Sequence, residues 1–311
     1  MSGRFAPSPT GRLHLGNLRT ALVAWLFARR HDLPFLVRME DLDRHQANRR
    51  RGAGQLADLA SIGLDWDGDV LWQGTRFERY EAAIEQLRGR GLVYECYCTR
   101  REIAAEIEAA TQAPHGPPGA YPGTCRRLSD AQRRARREAG RPPALRLRTD
   151  GERIEFVDRI AGPAVGVVDD VVLRRNDGVP AYNLAVVVDD AEQGVTQVVR
   201  GDDLLGSTAR QIHLQELLGY RRPEYAHVPL VVGRDGERLS KRHGAVSVGD
   251  LAAVGIDRYR ITAWLLGTLG PAAGTSRDPS SAIGGFEIGA VPTTAVVADL
   301  VPETPPADSG P

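Results

Sequence analysis

Lysine is almost missing from this chain of 311 residues. Arginine supplies 39 of its 40 basic side chains, and the single lysine is Lys241. Because the chain uses arginine wherever a positive charge suffices, we expect Lys241 at a position that needs a compact ammonium, such as one facing a phosphate. The net charge is zero, so any contact with nucleic acid must come from local clusters of charge.

Long apolar runs are also absent, since none approaches the ~18 residues of a membrane span. The first residues lead straight into a predicted strand and have no secretory signal, so we expect a cytoplasmic protein. There are only three cysteines, and an odd number argues against a disulfide framework. With 42% hydrophobic residues, the chain can bury a sizeable core in one large or two modest domains.

The segment Arg4–Asn17 predicts a strand, a tight turn and a helix. Phe5 lies at the end of a short apolar run, proline and glycine then break regular structure, and helical spacing of leucines resumes after Gly16. A helix that starts after a first strand offers unpaired N–H groups and the positive end of a dipole, which suits an anion. A plain turn into a core helix would explain the same pattern.

A second polar segment, Gly233–Gly244, follows the apolar run Val228–Val232 and contains Lys241. Further helices are predicted over 46–62, 76–90, 130–140, 207–218 and 257–269. Between Arg126 and Arg148, nine arginines face two acids, a local charge of +7. This cluster is either a contact for a phosphate backbone or a solvated arginine face.

Together, the two segments resemble the signatures of class I aminoacyl-tRNA synthetases. His14-Leu-Gly-Asn17 is similar to His-Ile-Gly-His, and Arg238-Leu-Ser-Lys-Arg242 is similar to Lys-Met-Ser-Lys-Ser, while Arg4-Phe-Ala-Pro-Ser-Pro-Thr-Gly has the form found in glutamyl-tRNA synthetases. Asn17 and the two flanking arginines depart from the family pattern, but His14 and Lys241 are retained. The resemblance implies an α/β fold: a Rossmann-type parallel sheet with an inserted zinc-containing α+β subdomain.

The resemblance also implies roles for individual residues. The expected ATP-binding and catalytic residues are His14, Gly16, Asn17, Ser240 and Lys241, with Mg²⁺ accompanying ATP. The expected residues for L-glutamate are Arg4, Phe5, Ala6, Pro7, Ser8, Glu40, Tyr182 and Arg200. This assignment agrees with the chemistry, because a guanidinium such as that of Arg200 can bind a carboxylate with two hydrogen bonds, and Glu40 can receive the α-ammonium.

The three cysteines, Cys96, Cys98 and Cys125, lie within thirty residues of one another and would suit zinc. A closed site needs a fourth ligand, and ligand chemistry alone favours His115. Three buried, reduced cysteines would be the simpler interpretation. The glutamyl-Q tRNA(Asp) synthetases, short relatives of the glutamyl enzymes, carry a Cys-x-Cys…Tyr-x-x-x-Cys zinc site. Because Tyr121-Pro-Gly-Thr-Cys125 matches it, the resemblance implies Tyr121 as the fourth ligand of a structural zinc.

These short relatives use ATP to activate L-glutamate and transfer it to the queuosine base in the anticodon of tRNA(Asp), and the resemblance implies the same activity here. Val186 supports it, since glutamyl-tRNA synthetases usually carry asparagine at this position. The alternatives are a truncated glutamyl-tRNA(Glu) synthetase, a non-catalytic zinc-stabilised RNA-binding module, and a small nucleotidyltransferase.

The predicted organisation has four parts. Residues 1–91 and 179–270 form the two halves of the catalytic domain, and residues 92–178 form the inserted subdomain with a small antiparallel sheet. Residues 271–311 contain seven prolines and five glycines, which predicts a largely disordered tail unlike a helical anticodon-binding domain. We expect a monomer.

Overall fold

A seven-stranded, mostly parallel sheet forms the centre of the chain, as a computed structural model shows. The structure describes residues 1–43, 47–109, 121–239, 246–270 and 277–300. The strands are β1 Ser2–Phe5, β2 Phe35–Met39, β3 Leu71–Trp72, β4 Val93–Cys96, β5 Ala144–Leu147, β6 Arg153–Asp158, β7 Gly162–Val167, β8 Val172–Arg174, β9 Val195–Gly201, β10 Glu224–Val228, β11 Val231–Val232 and β12 Val296–Val297. The helices are α1 Leu15–Arg30, α2 Arg49–Ser61, α3 Phe77–Gly89, α4 Arg100–Ala109, α5 Asp130–Glu138, α6 Tyr182–Glu192, α7 Thr208–Leu218, α8 Val248–Ala253 and α9 Arg258–Gly267.

The order of the strands in the main sheet creates a crevice at its centre. The order is β3-β2-β1-β9-β10-β6-β7, and every neighbouring pair is parallel except β6–β7. From β1 the chain first builds outward through β2 and later returns to place β9 on the other side of β1. Ligands of open α/β sheets bind outside the carboxyl ends of the strands at such a reversal point. The predicted parallel α/β sheet is confirmed.

Helix α1 connects β1 to β2 and is the centre of the largest hydrophobic cluster. Leu18, Leu22 and Leu26 are completely buried, as the helical spacing predicts. Gly3 lets the helix approach the sheet closely, because a Cβ at this position would lie 2.8 Å from the Cβ of Ala28. The last turns of α1 therefore pack directly on β1, while the helix begins beyond the carboxyl end of that strand.

The predicted small antiparallel sheet is only partly correct. Strands β4, β5 and β8 do form a three-stranded antiparallel sheet. The hairpin β6–β7 instead extends the main sheet beside β10. The reason is apolar packing beneath α7, since Phe156 shares a cluster with Ile212 and Tyr225, and Gly166 leaves room for Ala209. The boundaries 1–91, 92–178 and 179–270 stay predictions.

The prediction of a disordered tail is wrong for residues 277–300. Two 3₁₀ turns, Pro279–Gly285 and Ile288–Ala290, lead to β12, which pairs with β11. This segment is low in complexity but carries apolar residues that join the main core: Ala282, Phe286, Ile288, Val291, Ala298 and Leu300. Burial of such side chains offsets the entropy of ordering the segment. The other parts of the predicted tail, 271–276 and 301–311, lie outside the described residues.

Candidate functional site

A cavity of about 860 Å³ opens at the carboxyl ends of β1 and β9. Its volume lies in the range of roughly 300–1,000 Å³ that is usual for small-molecule sites. All the described residues that the sequence assigns to ATP and glutamate line it: Arg4, Phe5, Ala6, Pro7, Ser8, His14, Gly16, Asn17, Glu40, Tyr182 and Arg200. Ser240 and Lys241 lie outside the described residues. The structure therefore brings together residues that are up to 196 positions apart in the chain, from Arg4 to Arg200.

His14 is the N-cap of α1. Its Nδ1 accepts hydrogen bonds from the backbone N–H groups of Gly16 at 3.1 Å and Asn17 at 3.3 Å, and Asn17 Oδ1 accepts from the His14 N–H at 3.3 Å. Because Nδ1 is an acceptor, the ring proton lies on Nε2. Burial, followed by the positive charge of Arg238, lowers the pKa of His14 to about 4. At neutral pH the ring is thus an uncharged N–H donor.

The prediction that the start of α1 offers unpaired backbone N–H groups is wrong. The N–H groups of Gly16 and Asn17 are bound to His14 Nδ1, and the N–H of Leu15 donates to the carbonyl of Val246 at 3.0 Å. The capping residue uses the same donors that an anion would need. What remains available for a phosphate is the Nε2–H of His14, which has no acceptor among the described residues.

A buried cluster of charge lies beside the turn. Arg4 donates to Asp190 through Nε at 3.2 Å and Nη2 at 3.4 Å, and Arg38 donates to the same carboxylate at 2.6 Å. Arg38 also pairs with Glu40 at 3.4 Å. Burial raises the pKa of Glu40, against the opposing effect of Arg38 and Arg4. An ammonium group bound in the cavity would favour the ionised form of Glu40.

Arg200 and Tyr182 complete the polar wall of the cavity. Arg200 lies near the carboxyl end of β9 and is 5% exposed, while Tyr182 is the first residue of α6. Burial and then the charge of Glu40 raise the pKa of the Tyr182 phenol. The hydroxyl therefore stays protonated at neutral pH and can donate a hydrogen bond.

The second motif adjoins the same cavity. Arg238 donates to Asp203 at 2.8 Å, and Leu239 is buried in the cavity wall. On the far side of residues 240–245, Val246 lines the cavity and Ser247 forms a bridge with His14. The described neighbours of Lys241 on both sides thus belong to the wall that contains His14.

The three cysteines converge with Tyr121 in a separate cluster. The Sγ atoms of Cys96, Cys98 and Cys125 all lie within 4.8 Å of one another. Tyr121 Oη lies 3.3 Å from the Sγ of Cys96 and 3.4 Å from that of Cys98. Three thiols around one point suit zinc, and the phenol of Tyr121 lies beside two of them, where a fourth ligand would be needed. His115, the competing ligand, lies outside the described residues.

The acidity of this cluster is uneven. The hydrogen bond from Cys96, helped by the backbone N–H of Tyr97, lowers the pKa of Cys125 to about 6. The hydrogen bond with Cys125 and burial raise the pKa of Cys96 to about 12. Cys125 is thus the first of these thiols to ionise. Since zinc binds thiolates, binding would release protons from the others.

Sequence reasoning missed three residues that hold the site. Asp190 binds Arg4, as described above. Gln55 donates through Nε2 to the carbonyls of Ser8 at 3.0 Å and Gly11 at 2.8 Å, which fixes the turn of the first motif. Asp58, completely buried, accepts the N–H of Leu13 at 3.2 Å and pairs with Arg12. Gln55 and Asp58 lie three positions apart, on one face of the predicted helix, and this spacing could have indicated that both contact the same segment.

Helix α5 in the arginine-rich segment has no buried residue, and two of its arginines are paired, Arg133 with Asp130 at 2.9 Å and Arg137 with Glu95 at 2.8 Å. Part of the predicted charge is therefore neutralised within the protein.

Among the described residues, no helix is both long and apolar enough to cross a membrane.

The sequence matches a family model over residues 1–270, described as the catalytic domain of class I tRNA synthetases (E and Q). A glutamyl-Q tRNA(Asp) synthetase of Nocardia farcinica is 61% identical over 269 residues, which cover 86% of this chain and 85% of that protein. A glutamate–tRNA ligase of a Synechococcus species is 45% identical over 257 residues, and the match spans 81% of this chain but 53% of that protein.

A solved structure shows the same architecture. The glutamate–tRNA synthetase of Elizabethkingia anophelis superposes with a TM-score of 0.78 at 28% sequence identity. The match covers 94% of this chain and 67% of the other.

Proposed function

Because the chain belongs to the class I tRNA synthetases of the E and Q type, we propose that it uses ATP to activate L-glutamate and transfers the glutamyl group to the queuosine base in the anticodon of tRNA(Asp). The first step would give glutamyl-adenylate and pyrophosphate. The observation that carries the proposal is the convergence of Arg4, Arg200 and Glu40 with the first nucleotide motif and with Arg238 and Leu239, the described start of the second, at one cavity.

The glutamate subsite would be formed by two basic side chains, one acidic side chain and one hydroxyl group. Arg4 and Arg200 would face the carboxylates, Tyr182 would donate its hydroxyl, and Glu40 would receive the ammonium. The backbone Phe5–Ser8 would form the floor, held by Gln55. Two cations and one buried acid match the charge pattern of a dicarboxylic amino acid better than that of glutamine, which lacks the second carboxylate.

In the first step a carboxylate oxygen of glutamate would bond to the α-phosphorus of ATP as the bond to pyrophosphate breaks. The nucleotide subsite would assist through position and charge without a covalent bond to the protein. His14 would donate its Nε2–H to a phosphate oxygen, and Gly16 would keep the approach open, since a Cβ there would lie 3.1 Å from the imidazole ring. Lys241, with Ser240 beside it, would neutralise charge that develops as pyrophosphate leaves, and Mg²⁺ would enter with the triphosphate. Asn17 supports the turn by binding the His14 N–H.

Zinc, if bound, would be held by Cys96, Cys98, Cys125 and Tyr121. Four protein ligands leave no open coordination position, so the metal would stabilise the small sheet and would take no part in glutamate activation. The stacking of the Arg146 guanidinium over the Tyr121 ring at 3.7 Å is compatible with a negatively charged set of ligands.

Activation and transfer are tested separately. Glutamate-dependent ATP–pyrophosphate exchange measures the first step, and transfer of radiolabelled glutamate measures the second. We expect exchange with glutamate but not glutamine, and transfer to tRNA(Asp) that contains queuosine. We further propose that the protein acts in the cytoplasm, where its tRNA and ATP are found, and that it acts as a monomer.

Unmodified tRNA(Asp) and tRNA(Glu) are the controls. Transfer to tRNA(Glu) would support the alternative of ordinary glutamyl-tRNA synthesis. The 45% identity to a glutamate–tRNA ligase is the reason for testing this alternative. Absence of exchange in the presence of saturating glutamate and Mg²⁺ would refute the proposal and favour a non-catalytic RNA-binding module.

A further inference from the structure

The guanidinium of Arg200 is held by three side chains behind the cavity wall. Nε donates to His227 Nε2 at 3.0 Å, Nη1 donates to Gln211 Oε1 at 2.6 Å, and Nη2 donates to Thr208 Oγ1 at 2.9 Å. Each terminal nitrogen has two N–H donors and makes one short bond to a protein acceptor. The second N–H of Nη1 has no acceptor among the described residues, and that of Nη2 makes only a long contact of 3.5 Å with the Leu204 carbonyl. Both can therefore serve a carboxylate, but only in the plane that the three side chains define.

The partner of Nε is the most constrained of the three. His227 is 1% exposed, and its Nδ1 lies 2.6 Å from Asp158 Oδ2. Oδ1 of the same carboxylate accepts the backbone N–H groups of His227, Ile160 and Ala161 at 2.8–3.1 Å. Asp158 is thus a fixed acceptor, which places the proton of His227 on Nδ1 and leaves Nε2 as the acceptor that Arg200 requires.

We propose that Asp158 and His227 are positioning residues that fix the guanidinium plane of Arg200 and so set the affinity of the cavity for the carboxylate of glutamate. The inference rests on the proposed function. Neither residue lines the cavity, and His227 Nε2 also lies 3.2 Å from Thr208 Oγ1, which accepts from Arg200, so both residues would act on the cavity through the group that holds Arg200. The relay runs from Asp158, the last residue of β6, through His227 in β10, to Arg200 near the end of β9. It gives the hairpin β6–β7 a role in the main sheet.

Asp158→Asn tests the relay with almost no change in shape. If the NH₂ group of the introduced amide faces Nδ1, the proton of His227 must move to Nε2, where it opposes the N–H of Arg200. If the amide turns around, its NH₂ group meets three backbone N–H donors. We expect KM for glutamate in the exchange reaction to rise about 10- to 100-fold, the range for loss of a hydrogen bond to a charged group. KM for ATP should stay within about twofold.

Two further variants separate positioning from general damage. In His227→Gln, the side-chain oxygen can accept from Arg200 without help from Asp158, so adding D158N to H227Q should change KM for glutamate little. Asp170→Asn is the matched control, since Asp170 is also a buried aspartate (5% exposed) but binds Tyr94 and Thr149 in the small sheet. It should leave KM for glutamate unchanged.

The outcomes are distinct. A D158N variant whose KM for glutamate stays within about twofold, or rises together with KM for ATP, overturns the relay while the proposed function stands. If D158N does not fold, His227→Leu removes the same acceptor and is judged by the same two constants. If the unmodified chain shows no glutamate-dependent exchange, the proposed function fails first and the relay fails with it.

Discussion

Asp190 offers the sharpest test of how the buried charges of the cavity are balanced. It is 4% exposed and accepts hydrogen bonds from Arg4, which is 3% exposed, and Arg38, which is completely buried. Asp190→Asn keeps the size of the side chain but removes its charge. Two guanidinium groups then face each other in the interior with less compensation, because their shared anion is gone.

The expected loss of stability is large for an isosteric change. Removing one partner of a buried ion pair typically costs about 3–5 kcal/mol. We take about 3 kcal/mol, since the introduced amide oxygen can still accept one hydrogen bond and Glu40 still faces Arg38. At about 2–4 °C per kcal/mol for a domain of this size, the melting temperature should fall by about 6–12 °C at pH 7.

The effect should also depend on pH in a defined direction. Although burial opposes the shift, Arg38 and Arg4 lower the pKa of Asp190 in the folded protein. A lowered pKa gives stability that is fully present above the unfolded value of about 3.9 and is lost as the pH falls below it. The difference between the unmodified chain and D190N should therefore be full at pH 7 and shrink below about pH 4.

Thermal and urea unfolding followed by circular dichroism measure both effects. Glu85→Gln is the control, because the Glu85–Arg88 pair is exposed and such pairs contribute about 0–1 kcal/mol. A D190N variant that unfolds within about 1 kcal/mol of the unmodified chain at pH 7 would show that the cluster does not depend on this carboxylate.

Three other changes give equally direct results. His14→Asn should keep the helix cap, because an amide oxygen can replace Nδ1 as acceptor, while exchange falls by about 10²–10³ for loss of the Nε2–H donor; a fully active H14N would refute this role. Lys241→Ala should reduce adenylate formation by orders of magnitude with an unchanged melting curve, and near-normal exchange would contradict the role given to the ammonium. Cys98→Ser should lower both bound zinc, measured by mass spectrometry, and the melting temperature, with little effect on the exchange constants at a temperature where the variant is folded; unchanged melting would argue against a structural metal.

Local sequence patterns predicted the segments that carry the chemistry. The leucine spacing of α1 and the proline–glycine turn before it are short-range signals, so the strand, turn and helix around His14 follow from about thirty residues. The family resemblance then identified residues from Arg4 to Arg200, and all of the described ones line one cavity.

Long-range partners could not be predicted in this way. Asp190 lies 186 positions from Arg4, and no periodic pattern links a helix end to the first strand. The hairpin β6–β7 alternates like any exposed hairpin, and its place in the main sheet depends on long-range packing, such as that of Phe156 against Tyr225 and of Ala209 over Gly166. The order of segment 277–300 could not be predicted from composition, because a high content of proline and glycine does not show which individual positions are buried.

The pairing of β12 with β11 has a practical consequence for anyone who shortens the chain. Cutting after residue 270, where the family match ends, would remove the strand neighbour of Val231 and Val232 and uncover the apolar groove that Phe286 and Ile288 fill. β11 runs directly into the polar segment with Lys241, so its new free edge would lie next to the ATP motif. A trimmed chain would thus expose an unpaired strand edge and apolar surface, so its poor solubility would say nothing about catalysis by the longer chain.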